Sequence, residues 1–218
     1  MGSKSLRQKI AILSISLILA GNNVISGSLV YIQQAYNLSR NDAEFVMTIA
    51  SLMTMVFIFL AEYIANFLGL KKTVLLGLSL VTISGIIPVL FKTYSSIIIS
   101  RVLLGSGLGM FNGHSANYIN LLYEDNDERT KLHGLRNAAE FIGQIILYTI
   151  AGILIKVNFI YTFLVYSFAI FIFIFFKFNV EDVEIKRKKV RIFYDSNIAL
   201  FIIFNFNDYE ISLCSKFF

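Results

Sequence analysis

Cysteine occurs once in the 218 residues, at Cys214, so the chain can close no disulfide within itself and has no cysteine-based zinc or iron–sulfur site. Histidine occurs twice, which leaves little for metal ligation, and no metal or other cofactor is expected. Charge is equally scarce, at 15% of residues against 56% hydrophobic, with a mean hydropathy of +0.70. Long apolar runs with almost no charge have no soluble explanation and require lipid as the solvent. The formal charge of +5 does not point to nucleic acid, because the basic residues sit in short clusters between apolar runs, where topology and anionic lipid account for them.

What is abundant is apolar sequence of bilayer length. A membrane-crossing helix needs about 20 such residues, and six runs qualify, at approximately 10–33, 42–67, 73–91, 97–122, 136–156 and 159–177. The fold class is therefore all-α and polytopic. Residues 1–177 form the six-helix domain, 178–193 a basic linker, and 194–218 the stub of a seventh helix, stopped by Asn207, Asp208 and Glu210. No small-residue cleavage site follows a short apolar core near the start, so the first run is read as a retained helix, not a signal peptide. Neither the opening MGSKSL nor Cys214 fits a lipidation motif. Asn37-Leu38-Ser39 fits the glycosylation sequon but lies in a very short loop.

Lys and Arg alternate between the loops. One side receives Lys4, Arg7, Lys9, Lys71, Lys72, Arg129, Lys131, Arg136, Lys177 and the run from Lys186 to Arg191; the other receives Arg40, Lys92 and Lys156. The positive-inside rule then makes the N-terminus cytoplasmic in a multi-pass protein of the plasma membrane.

Polar content separates the helices. The sixth, FIYTFLVYSFAIFIFIFF, is apolar and aromatic around its circumference and is expected at the periphery, facing lipid. The fourth carries Arg101, Asn112, His114, Asn117 and Asn120, and the first carries Asn22 and Asn23. Such groups face a bundle interior or a water-filled cavity, which makes Asn22, Asn23, Arg101, Asn112, His114 and Asn117 the candidate substrate-pathway residues. Gly105, Gly109 and Gly113 recur every fourth position below Arg101, as a ridge for close helix packing. Arg101 is either a transport-pathway group or one half of a structural ion pair. His114 is either a proton relay or a hydrogen-bonded packing residue.

The string RVLLGSGLGMFNG, Arg101 to Gly113, resembles the fourth-helix motif of the major facilitator superfamily, and ANFLGLKKTVLLG, Ala65 to Gly77, resembles its signature loop between helices two and three. Gly69 matches the turn glycine and Lys71 and Lys72 the basic pair, whereas Asn66, Phe67 and Leu70 depart from the pattern. The resemblance implies two three-helix inverted repeats forming the N-terminal half of a secondary transporter, with helices one, two, four and five lining a cavity and a small solute bound near the midplane between two halves. It further implies a charge network at the signature loop, weakened by Asn66, for which Glu62 is a substitute one turn earlier. The helix-five motif of the family's drug antiporters is absent, since Gly143 is followed by Gln144 and the sole proline is Pro88.

Glu62, Asn66, Gly69, Lys71, Lys72 and Glu140 are thus the gating and ion-coupling candidates. Glu140 reads as sitting one turn inside the 136–156 helix, as a gate or proton-carrying carboxylate or as the ion-pair partner of Arg136. The non-transporting alternative is a six-helix membrane scaffold or inactive remnant. The tail from Asn205, NFNDYEISLCSKFF, reads like the out-of-frame end of an interrupted gene or an ordinary polar tail. The expectation is of a truncated chain that does not transport as a monomer, unless two copies pair face to face. The expected partners are the bilayer, a small solute and a coupling proton; no nucleic acid is expected.

The topology is testable in a Cys214→Ser background. Thr130→Cys and Lys188→Cys should be protected from an impermeant thiol reagent in intact cells; efficient labelling of either would reverse the orientation.

Overall fold

Caps written in the sequence set where the helices begin. Ser39 accepts a hydrogen bond from the Asp42 amide at 3.2 Å, and Thr93 and Ser96 form a reciprocal capping box with both bonds at 3.2 Å. Asp125 accepts from the Glu128 amide at 3.3 Å, and Asn158 from that of Ile160 at 3.0 Å. Each side-chain oxygen satisfies one of the amides that a helix N-terminus leaves without a partner.

The computed structural model describes residues 6–123 and 125–182, all within the unit Met1–Ile185. Among the described residues, six helical segments are long and apolar enough to cross a membrane: α1 Leu6–Ala35, α2 Arg40–Leu68, α3 Leu70–Phe91, α4 Tyr94–Leu122, α5 Asn126–Leu154 and α6 Phe159–Asn179. The described residues contain no strand. The seventh-helix stub, the 183–193 part of the linker and Cys214 lie outside the described residues.

Two spans depart from plain α-helix. Ile15–Ser28 of α1 and Phe159–Phe168 of α6 wind as 3-10 helix, in which residues i and i+3 stack on one face. In α1 this buries Ile15, Ile18, Gly21 and Val24 as one row while Asn23 and Ser26 share the open side. In α6 it buries Ile160, Phe163, Tyr166 and, in the adjoining turns, Ala169 and Ile172. The expectation of a peripheral sixth helix is therefore corrected. Phe171 and Phe178 are exposed, but Phe163, Tyr166 and Phe176 are fully buried. A sequence apolar on every side hides a three-residue period, because the residues facing lipid and those facing protein look alike.

The polar stretch 123–135, between the apolar runs 97–122 and 136–156, is largely helical: α5 starts at Asn126, on the Asp125 cap with Asp127 and Glu128 in its first turn. Acidic residues favour a helix N-terminus through its macrodipole, and the polarity of the stretch reflects solvent exposure, not conformation. Pro88, inside α3, cannot donate to the Ser84 carbonyl one turn back. That carbonyl is buried and receives the Ser100 hydroxyl of α4 at 2.6 Å, so no backbone acceptor is stranded.

Close approach fixes the packing. A Cβ on Gly105 would strike the Ala50 carbonyl of α2, one on Gly109 would lie 2.6 Å from the Thr54 carbonyl, and one on Gly143 would strike the Leu17 backbone of α1. Gly113 has nothing within 4 Å, so the expected packing ridge ends at Gly109 and Gly113 belongs to an open face.

Overpacking a tight contact costs about 1–3 kcal/mol. Gly105→Ala and Gly143→Ala should lower the thermal unfolding midpoint in detergent, and Gly113→Ala should leave it unchanged. Equal effects at all three positions would contradict this packing.

Candidate functional site

Arg101 is completely buried in α4, at membrane depth, where its guanidinium keeps its charge. Its three nitrogens reach three other helices. Nε donates to the Val46 carbonyl of α2 at 3.2 Å, Nη1 to the Tyr166 hydroxyl of α6 at 3.0 Å, and Nη2 to the Asn22 carbonyl of α1 at 2.6 Å. The planar fork matches this arrangement, and a lysine could not span it. Of the two readings of Arg101, the ion pair is absent among the described residues; the partners are neutral oxygens. Tyr166 is the group that sequence reasoning missed, because an α6 apolar on every side carries no sequence signal of the three-residue burial period that turns it inward.

Asn22 is half-buried, and its amide donates to Ser51 of α2 at 2.7 Å. Asn23 is exposed beside Ser26 and Gly27. These residues adjoin a groove of about 400 Å³ lined by Ser26, Gly27 and Tyr31 of α1 and by Tyr148 and Gly152 of α5. On α4, Asn112 and Asn117 are half-buried and Gly113 and Asn120 exposed. On α5, Arg136, Glu140, Gln144 and Tyr148 are half-buried and Asn137 is exposed. The result is an open polar strip running over α1, α4 and α5.

Glu140 lies deeper than expected. Arg136 Nε donates to Ser115 Oγ at 2.8 Å. Ser115 is seven residues from Leu108, the midpoint of Tyr94–Leu122, or about 10 Å along α4. Glu140 is a further turn toward the middle. Nor does it pair with Arg136, which donates instead to Ser115 and, at 3.4 Å, to Asn137; Glu140 has no hydrogen bond or ion pair among the described residues. His114 is buried against α2, with Nε2 3.3 Å from the Ala61 carbonyl and Nδ1 without a partner among the described residues.

The sequence matches the Major Facilitator Superfamily over residues 11–206. The chain belongs to that superfamily. It is thus a multi-pass membrane protein of a transporter family, and its solved structural relatives share the fold. The proton:xylose symporter XylE bound to 6-bromo-6-deoxy-D-glucose is 20% identical, with a TM-score of 0.71 over 81% of this chain and 44% of that one. The inward-open xylose transporter XylE from E. coli is 21% identical, with a TM-score of 0.68 over 79% and 47%. A D-xylose–proton symporter is 18% identical, with a TM-score of 0.72 over 97% and 54%. The chain spans about half the length of these transporters. Among curated proteins, none matches.

Within the superfamily fold, the signature loop is a single residue: Gly69 caps both α2 and α3 at φ 87°, a conformation that glycine adopts without penalty. Glu62, Asn66 and Lys72 are exposed and Lys71 is half-buried around it. The Asp182 carboxylate lies beside Gly69, 3.7 Å from where a Cβ would stand. At the same end, Lys9 pairs with Glu128 and sits 5.4 Å over the Tyr123 ring, while Arg129 Nε and Nη2 both donate to the Tyr123 carbonyl. Burial raises the Tyr123 phenol above its usual range, the Lys9 ammonium opposing the shift.

Removing the hydroxyl from Tyr166 leaves one donor of a buried cation unmet. Tyr166→Phe should destabilise the fold by about 1.5–3 kcal/mol, and Arg101→Lys and Arg101→Ala by more, read as loss of thermal midpoint. A neutral Tyr166→Phe would make that bond dispensable.

Proposed function

We propose that this chain supplies one six-helix half of a secondary active transporter that moves a small polar solute by alternating access. The observation that carries the reading is the open strip of Asn23, Ser26, Asn112, Asn117, Glu140 and Gln144 on helices of bilayer length. Polar groups at that depth are costly against hydrocarbon and mark a solute path or a partner surface. A transporter of this class binds its solute near the midplane between two such halves.

In this reading Asn22, Asn23, Asn112 and Asn117 line the path, and Arg101 holds α1 in place behind it. Glu140 and His114 are the groups available for a coupling proton. Glu62, Asn66, Gly69, Lys71 and Lys72 form the gate at the α2–α3 turn, with the N-terminus cytoplasmic in the plasma membrane. The similar structures are of proton:xylose symporters, which supports an organic solute and proton coupling. The second half of the cavity comes from another six-helix unit or from a second copy of this chain.

Water access tests this. In a Cys214→Ser background, Asn23→Cys and Asn117→Cys should react with a water-soluble methanethiosulfonate in membranes, while Ile83→Cys and Phe171→Cys should not. Protection of all four would leave a lipid-embedded scaffold in place of a transporter half.

A further inference from the structure

Arg136 and Glu140 of α5 are a cation and an anion one helical turn apart that do not pair. Residues at i and i+4 stand about 6 Å apart at Cβ, within reach of each other, and both are half-buried. Their order works against the pair, because the acidic residue is the favoured N-terminal member and here the basic one precedes it. The guanidinium turns to Ser115 Oγ and Asn137 Oδ1, both neutral, and leaves Nη2 without a bond. The Glu140 carboxylate keeps all its acceptor positions open among the described residues.

Both groups lie within about 10 Å of the α4 midpoint, where a lone charge is costly. Each would accept a ligand group of opposite sign, and the two openings are a few ångströms apart along one face. A sugar carries no charge to satisfy either, and a simple carboxylate or amine satisfies one. A molecule with an ammonium and a carboxylate on the same carbon satisfies both, the carboxylate on Arg136 and the ammonium on Glu140. We propose that the strip recognises a small zwitterion of the α-amino acid class. This rests on the transporter reading and names its substrate.

The test is ligand-induced stabilisation of the full chain in lipid nanodiscs, since a ligand that binds only the folded state raises its unfolding midpoint. Four probes are compared at equal concentration: a pool of common L-α-amino acids with uncharged side chains, the matching carboxylic acids lacking the amine, the matching amines lacking the carboxyl, and D-xylose. The amino-acid pool should raise the midpoint by about 2 °C or more, the other three by much less. Arg136→Gln and Glu140→Gln should each abolish the shift, and the swapped double variant R136E/E140R should restore it. The unliganded midpoint of each variant separates lost binding from lost folding.

Several results overturn the proposal: no shift with the amino-acid pool, an equal shift with the carboxylic acids that survives Glu140→Gln, or a shift with D-xylose alone. In any of those cases reactive cysteines at positions 23 and 117 would still uphold the transporter reading. Protection at those positions would instead remove the reading itself.

Discussion

A guanidinium that cannot lose its charge, enclosed among apolar helices, demands oxygens, and Arg101 obtains them from α1, α2 and α6 at once. Bringing three helices to one side chain requires α4 to sit among them, and α4 is accordingly the most buried span. Small residues make this geometry available. Gly105 and Gly109 admit the α2 backbone on one face of α4, while Gly107 meets Gly77 of α3 on another, where an added Cβ would lie 2.5 Å from the Gly77 carbonyl. In lipid, where apolar surface gains little by leaving the solvent, such close contacts and interhelical hydrogen bonds carry the association.

The same demand shapes what is left open. With Asn22 held to Arg101 through its carbonyl and to Ser51 through its amide, the 3-10 winding of α1 turns Asn23 and Ser26 outward. The contact of Gly143 with Leu17 brings α5 against α1 and adds its polar face to the strip. The buried tie and the open path are thus two sides of adjacent residues. One fixes the helix and the other is left exposed.

At the Gly69 end the ties are polar and half-buried around a buried Tyr123. Lys9, Glu128, Tyr123 and Arg129 join the ends of α1, α4 and α5. Of these the Lys9–Glu128 ion pair is the one partly open to water, which weakens it. The superfamily's usual acidic residue at the signature loop is replaced by Asn66, and the carboxylate beside Gly69 comes instead from Asp182, beyond α6.

Hydropathy alone determined the six spans, since a bilayer admits few solutions to an apolar run of that length, and the Arg101 and Gly69 motifs carried the superfamily. The glycine at Gly69 was legible because its positive φ is a local backbone requirement. Other features were not local. Tyr166 looked like one aromatic among many until the winding of α6 turned it toward Arg101, and Gly113 repeated the spacing of Gly105 while no helix came to meet it. Arg136 and Glu140 had the spacing of an ion pair, yet Ser115, on a different helix, took the guanidinium. Sequence spacing states which groups can meet; only the packing of other helices around them decides which do, because each group bonds to whatever partner the fold places nearest.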